Sequence, residues 1–90
     1  MDLSEMRCVR LPEVISLLGL SRSSIYLQIS DGLFPPPIHM SARCSAWPMH
    51  EVQRIILARV AQKTESEVRE IVREIIKARQ SVGTLETESV

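Results

Sequence analysis

Residues 19–26, Gly-Leu-Ser-Arg-Ser-Ser-Ile-Tyr, lie between two short stretches with helical apolar spacing, and this arrangement constrains the fold most. Gly19 is typical of a helix C-terminus, because glycine tolerates a positive φ. Ser21 is typical of a helix N-cap, because its hydroxyl can accept a hydrogen bond from the next turn. A helix that ends and a second that starts so soon afterwards predict a helix-turn-helix.

The second helix of this pair is expected to run from Ser21 to Gly32, with Ile25 and Ile29 facing the first helix. Pro12 suits the first turn of the first helix, where its missing N–H costs nothing. The outward side of the second helix is small and mostly polar, which suits insertion into a groove. It carries Arg22, Ser23, Ser24, Tyr26, Leu27 and Ser30.

Three prolines after Phe34 predict a stiff, extended connector, because proline fits neither a helix interior nor a central strand. Residues 38–40 and 44–47 alternate around a short turn and predict a small β-hairpin with Arg43 near its tip. Trp47 is expected to be buried beneath it. Pro48 is expected to open a third helix that closes the core. Residues 8–11 suit either a short strand or a lead-in.

Thr64 and Glu67 have the spacing of a capping box, which predicts a fourth helix from Thr64 to about Gln80. Its aliphatic stripe suits either packing on its own domain or pairing with a second subunit. We favour a homodimer, because the first three helices are short and already bury one another. The stripe contains Val68, Ile71, Val72, Ile75 and Ile76. Residues 81–90 have no apolar period and are expected to be disordered.

The charges of the chain balance, with 11 basic and 11 acidic residues among 90. This neutrality counts against a nucleic-acid partner, because DNA-binding domains are usually basic. On the fourth helix the charges predict a solvated face with local pairs of Glu65 with Arg69 and Glu74 with Lys77. No secretory or membrane-spanning pattern is evident, so the expectation is a cytoplasmic protein with reduced thiols.

No catalytic motif is evident in the sequence. There is no Gly-x-Ser-x-Gly, no phosphate-binding loop and no acid–base pair placed by a motif. His39 and His50 do not combine with Cys8 and Cys44 in a familiar zinc spacing. The sequence therefore predicts no enzyme, no cofactor, no metal site and no small-molecule substrate.

The predicted order of helix, turn, helix, hairpin and helix is that of a winged-helix domain. In such domains the second helix reads the major groove and the wing contacts the backbone or the minor groove. Because of the motifs that it contains, the segment 10–60 resembles the AlpA family of phage-type regulators, which lies in the excisionase-like and MerR-like group. The resemblance is carried by RLPEV at 10–14, GLSRSSIY at 19–26, GLFP at 32–35, PI at 37–38, Arg43, Trp47 and EV at 51–52.

The resemblance implies a mainly α winged helix-turn-helix with a small β-hairpin wing, to which this chain adds a C-terminal helix. The expected domains are a DNA-binding unit at 8–62, the helix at 64–80 and a disordered tail at 81–90. The predicted DNA contacts are Ser21, Arg22, Ser23, Ser24, Tyr26, Leu27, Gln28 and Arg43.

The implied function is sequence-specific binding of double-stranded DNA, at the nucleoid, by a regulator of a prophage or mobile element. The implied role is transcriptional regulation, DNA bending by an excisionase-type recombination directionality factor, or both. A protein-interaction module that keeps the fold but has lost DNA binding is the alternative from another class.

Two positions depart from the family pattern. Leu27 stands where the family often has a basic residue, and Ser41 stands where the wing turn usually has a glycine. We expect the first change to remove a phosphate contact and the second to alter the wing turn.

Overall fold

The computed structural model describes the backbone of residues 7–89 and the side chains of residues 7–81. This part of the chain forms helices and a three-stranded antiparallel sheet, as expected of a mainly α winged helix-turn-helix. The elements are β1 (Cys8–Val9), α1 (Leu11–Leu18), α2 (Arg22–Ser30), β2 (Ile38–Ser41), β3 (Cys44–Pro48), α3 (Met49–Val60) and α4 (Glu65–Ser89).

The turn between α1 and α2 has the predicted chemistry. Gly19 caps α1 with φ +67° and donates its N–H to the Ile15 carbonyl at 2.9 Å. Ser21 caps α2, and its Oγ accepts a hydrogen bond from the Ser24 N–H at 3.1 Å. Ile25, 1% exposed, faces inward, as its spacing predicted. The helix-turn-helix is therefore specified by local signals at both sides of the turn.

The C-termini of α2 and α3 are closed in the same way. Beyond α2, Gly32 (φ +77°) donates to the Ile29 carbonyl and Leu33 to the Gln28 carbonyl. Beyond α3, Gln62 adopts φ +58° and donates to the Arg59 carbonyl. Such paired bonds satisfy carbonyls that have no partner within a helix. A left-handed residue therefore follows each helix, and residues 31–37 connect α2 to β2.

The sheet has the order β1-β3-β2, with β3 at its centre. Val9 pairs with Trp47, so residues 8–9 form a strand rather than an irregular lead-in. Ile38 pairs with Ala46, and Ser41 with Cys44, which confirms the hairpin. The sheet thereby ties the start of the domain to the wing.

The connector between α2 and β2 is anchored on the core by two aromatic rings. Phe34 and Trp47 are each 1% exposed, and their ring centroids lie 5.9 Å apart with an interplanar angle of 57°. The Trp47 indole N–H donates to the Pro35 carbonyl at 2.8 Å. The expectation that Trp47 is a buried anchor beneath the wing is met.

The aliphatic stripe of α4 packs on its own domain. Val68, Val72 and Ile75 are 3–4% exposed and belong to the same core as the first three helices, with Ile71 and Ile76 packed at its edge. Fully burying an aliphatic side chain contributes about 1.5–3 kcal/mol. The sequence left this arrangement open but favoured a subunit interface, and the most buried part of the stripe is already occupied within the chain.

The capping box at the start of α4 forms as predicted. The Thr64 N–H donates to Glu67 Oε1 at 3.0 Å, and the Glu67 N–H donates to Thr64 Oγ1 at 3.2 Å. The predicted pair of Glu65 with Arg69 is present at 3.8 Å.

The prediction of a pair between Glu74 and Lys77 is wrong. Glu74 binds Arg54 of α3 at 2.5 Å instead, because the packing of α4 on α3 brings a fork-shaped guanidinium within reach.

The backbone of α4 is helical to Ser89, whereas the apolar pattern predicted an end near Gln80. The stripe ends there, but no proline follows that would stop the helix. Side chains from residue 82 onward lie outside the described residues, and the disorder expected of residues 81–90 stays a prediction. Over the part of the chain that the structure describes, no helix is both long enough and apolar enough to cross a bilayer.

Candidate nucleic-acid interface

The outer face of α2 begins directly at its N-cap. Arg22 and Ser23 form the first turn and are exposed, and the Ser21 hydroxyl fixes where that turn starts. The first N–H groups of a helix have no intrahelical partner and carry the positive end of its dipole. This end of α2 therefore combines backbone donors, hydroxyl groups and a guanidinium.

The middle of the same face presents two large side chains to solvent. Tyr26 is 49% exposed and Leu27 62% exposed. Because Leu27 is mostly exposed, its side chain contributes little hydrophobic stabilisation to the free protein. The structure therefore places Leu27 where a partner can cover it, on the same side of α2 as the serine hydroxyls.

Besides Ser21, whose hydroxyl caps α2, two of the predicted contact residues are engaged inside the domain. Ser24 is half-buried, and its Oγ accepts a hydrogen bond from Ser21 Oγ at 3.0 Å. Gln28 is half-buried, and its Oε1 accepts a hydrogen bond from Arg59 of α3. The hydrogen-bond donors that these two side chains keep for a partner are the Gln28 amide NH₂ and the Ser24 hydroxyl proton.

The wing tip is a two-residue turn, Ala42-Arg43, between β2 and β3. Two-residue hairpin turns usually need a positive φ, which favours glycine. No residue of this turn adopts one; instead the register shifts between His39 and Ser41. The departure at Ser41 is thus accommodated by an irregular ladder, and the hairpin still forms.

Arg43 is exposed at this tip, and Arg22 is exposed on α2. Neither guanidinium has a hydrogen-bond or ion-pair partner among the described residues, whereas Arg54, Arg59, Arg69, Arg73 and Arg79 each have one. A cation without an internal partner is available to an anion from outside. Arg22 and Arg43 are the two predicted contact residues for which this holds.

The comparison with known proteins agrees with this layout. The sequence model for the prophage CP4-57 regulatory protein (AlpA) matches residues 7–60, which is more than half of the chain. The chain belongs to the AlpA family. It is also 42% identical over 60 residues to the uncharacterized protein ORF88 of Enterobacteria phage P4, an alignment that covers 67% of this chain and 68% of that protein. The resemblance found in the sequence is confirmed.

The AlpA region, residues 7–60, contains the strands, α1, α2 and α3, and it ends before α4. This region contains six arginines and three acidic residues, which gives it a formal charge of +3. The neutrality of the whole chain therefore results from the acidic residues outside the AlpA region. The charge argument against a nucleic-acid partner does not apply to the region that carries α2 and the wing.

Two further cations of the AlpA region were not among the predicted contacts. Arg7 and Arg10 flank β1, are exposed, and have no side-chain partner among the described residues. In the sequence they stand in a stretch without a clear period, and only the pairing of β1 with β3 ties them to the sheet of the wing. No local signal in the sequence distinguishes them.

The exposed side chains of this surface include hydroxyl groups, two guanidinium groups, Tyr26 and Leu27. The residues of the structure that can be described hold no group of three His, Cys, Asp or Glu side chains able to bind a metal ion. His39 Nδ1 lies 3.3 Å from Ser45 Oγ in the wing, and no carboxylate of residues 7–81 binds this imidazole. The AlpA family is a regulatory one.

Proposed function

We propose that this AlpA-family protein is a sequence-specific DNA-binding regulator of a prophage or mobile element. The observation that carries the proposal is the exposure of Arg22 on α2 and Arg43 on the wing tip, each without an internal partner, within a region of charge +3. In a winged helix these two positions lie on the groove-reading helix and on the wing.

In the proposed complex the N-terminal half of α2 enters a major groove. The backbone N–H groups of its first turn and the Arg22 guanidinium bind phosphate, which sets the register. Serine hydroxyls contact base edges, and Leu27 covers a thymine methyl group, the apolar feature of that groove. Arg43 then binds the backbone or a narrow minor groove beside the wing.

The test is a salt titration on DNA that the protein itself selects. The wild-type chain would select binding sites from a random duplex library, and affinity for a selected duplex would be measured over a range of salt. Each phosphate contact contributes about −0.9 to the slope of log K against log[salt]. We expect Arg22→Ala and Arg43→Ala each to flatten the slope by about one.

The matched control is Lys77→Ala on α4, an exposed cation with no side-chain partner among the described residues. It removes the same charge at a distance from α2 and should leave the slope unchanged. No enrichment of any duplex at low salt would contradict DNA binding, whereas equal slopes in all four proteins would contradict the phosphate contacts proposed for Arg22 and Arg43.

Regulation and excision are two outcomes of the same binding. An excisionase-type factor must bend its attachment-site DNA, whereas a regulator need not. Gel mobility of circularly permuted selected duplexes separates them, since a bend makes mobility depend on the position of the site. Either role places the protein on DNA in the cytoplasm, at the nucleoid.

A protein-interaction module is the second candidate, and one observation favours it. Leu57 and Val60 on the outer face of α3 are 67% and 75% exposed. Beside Val60 lies a shallow groove of about 260 Å³, lined by Leu17, Leu18, Leu20, Ile56, Arg59 and Val60. If the salt titration finds no DNA binding, this apolar surface becomes the leading interaction site.

A homodimer stays a prediction, supported by the small size of the domain and by the gain from adding two half-sites. The α4 stripe is packed within the chain, so truncation before Thr64 would expose the core and is a poor test. Sedimentation of the full chain and of Leu57→Glu/Val60→Glu tests it instead. A dimer that persists in the double variant uses a surface other than the outer face of α3.

A further inference from the structure

The connector between α2 and the wing is held through its carbonyl groups. Arg69 Nε donates to the Asp31 carbonyl at 3.0 Å, and Arg59 Nη2 to the Leu33 carbonyl at 3.2 Å. The Trp47 indole donates to Pro35 at 2.8 Å, and Arg79 Nη2 donates to Pro36 at 2.9 Å. Four of six successive carbonyls, from 31 to 36, thus receive a side-chain donor from β3, α3 or α4.

The connector needs these external donors. Residues 35–37 are prolines without N–H groups, so this segment cannot hold itself in a ladder of backbone hydrogen bonds. The carbonyls at the end of α2 also form the negative end of a helix dipole, where guanidinium groups are stabilising. The geometry of the step from α2 to β2 is therefore imposed by the elements packed behind it.

Helix α4 supplies two of these donors. Arg69 and Arg79 are ten residues apart, which is about 15 Å along a helix. Arg69 binds at the end of α2, and Arg79 binds two residues before β2 begins. One rigid helix thus contacts both ends of the connector.

Arg79 is itself fixed. Its Nε and Nη2 donate to the two carboxylate oxygens of Glu51, at 2.9 and 2.5 Å. The Glu51 side chain is only 4% exposed, and it belongs to the first turn of α3. A forked pair of this kind restricts the guanidinium to one orientation, so that the second N–H of Nη2 points at the Pro36 carbonyl.

We propose that Arg69 and Arg79 are positioning residues for DNA recognition, through which α4 fixes the spacing and angle between α2 and the wing. This inference rests on the proposed DNA binding. The base contacts of α2 stay in register with the contacts of the wing only if α2 and the wing keep a fixed relation, and the connector alone cannot maintain it. In this account α4, which lies outside the AlpA region, sets sequence discrimination without touching DNA.

The test compares two affinities: that for a duplex selected by the wild-type chain and that for a scrambled duplex of the same composition. Arg69→Ala should lower the ratio of these affinities by about tenfold, comparable to the loss of one good base contact. The salt slope should not change, because Arg69 binds no phosphate. A merely structural loss of folded protein would weaken both duplexes equally and leave the ratio as it was.

Arg73→Ala is the matched control. Arg73 lies on the same helix and carries the same charge, but it binds Glu70 of α4 and makes no bond to the connector. The affinity ratio and the salt slope of Arg73→Ala should equal those of the wild-type chain. Arg69→Lys should restore the ratio, because a lysine can donate to a single carbonyl.

Arg79→Lys provides a second variant that keeps the positive charge beside Glu51. A lysine cannot form the fork to Glu51 and also reach Pro36, so the ratio should fall as it does for Arg69→Ala. All affinities are measured below the temperature at which the variant unfolds. Circular dichroism determines that temperature for each variant.

Two results would overturn the inference while leaving DNA binding intact. One is an unchanged ratio in folded Arg69→Ala and Arg79→Lys. The other is a slope flattened by about one in Arg69→Ala, which would mean that Arg69 contacts phosphate directly. Failure of the proposed function has a different signature, namely that the wild-type chain enriches no duplex at all, and the inference fails with it.

Discussion

Two sets of arginines in this protein differ in what their guanidinium groups bind. Arg22 and Arg43 are exposed and have no partner among the described residues. Arg59, Arg69 and Arg79 each donate to a backbone carbonyl of the connector. The first group is free to bind a partner, whereas the second group is used to hold the segment that joins α2 to the wing.

This difference shows that affinity and geometry are carried by separate residues. The exposed pair lies on the outer face of α2 and at the tip of the wing. The carbonyl-bound group lies behind them, on α3 and α4. Substitutions in the first group should change binding and spare folding, while those in the second should change folding, or the geometry of binding.

The largest expected effect comes from Arg79→Ala. Glu51, 4% exposed, would lose both donors and remain charged in the core, which costs about 3–5 kcal/mol of the free energy of unfolding. Urea unfolding measures this. The double variant Glu51→Gln/Arg79→Gln leaves no unpaired charge, so its free energy of unfolding should fall less than that of Arg79→Ala. A loss below about 1 kcal/mol in Arg79→Ala would mean that the pair contributes as little as an exposed one.

Trp47→Phe tests the one neutral donor among the four that hold the connector. It keeps an aromatic ring beside Phe34 but leaves the Pro35 carbonyl without its donor, which costs about 1–3 kcal/mol. Thermal unfolding measures the loss. Tyr26→Phe, at an exposed aromatic, should stay within about 0.5 kcal/mol of the wild-type chain. Equal stabilities in both variants would show that the carbonyl finds another partner.

Leu27→Lys sharpens the comparison by adding a cation to the exposed group. If Leu27 lies in the groove as proposed, a lysine there can extend past the thymine methyl group to a flanking phosphate and should steepen the salt slope by about 0.9. Folding should be unaffected, because Leu27 is 62% exposed. An unchanged slope would place this part of α2 away from phosphate, and Leu27→Gln provides the neutral polar control.

The smallest effect concerns pH. The Thr64 N–H and hydroxyl, with a lesser contribution from the Lys63 charge, hold the pKa of Glu67 below its ordinary value. Because the folded pKa is the lower one, this contribution is fully present above the ordinary pKa and is lost as pH falls through the folded one. A carbon NMR titration should show the Glu67 pKa nearer its ordinary value in Thr64→Ala. An identical titration in both proteins would contradict this cause.

The sequence predicted the features that are specified by neighbouring residues. Gly19 and Ser21 determine their turn through backbone conformation and one capping bond, and Thr64 and Glu67 cap each other across a single turn. Such signals act over three or four residues. The same holds for the hairpin, where alternation sufficed even without a glycine in the turn.

The contacts of the carbonyl-bound arginines could not be predicted in this way. Arg59, Arg69 and Arg79 lie 26 to 43 residues from the carbonyls that they bind. In the sequence the charges of α4 have the spacing of an ordinary solvated face. Glu51 lies in the first turn of α3, and only the packing of α4 on α3 shows that it is buried beneath Arg79. The same packing assigns the α4 stripe to the core.

The salt dependence of binding to a selected duplex, compared between the wild-type chain and Arg22→Ala/Arg43→Ala, tests the central claim most directly. The account predicts that the double variant folds normally and that its slope is flatter by about two, one for each lost phosphate contact. A folded double variant with the slope of the wild-type chain would contradict it, because the exposed arginines would then not be the ones that bind DNA.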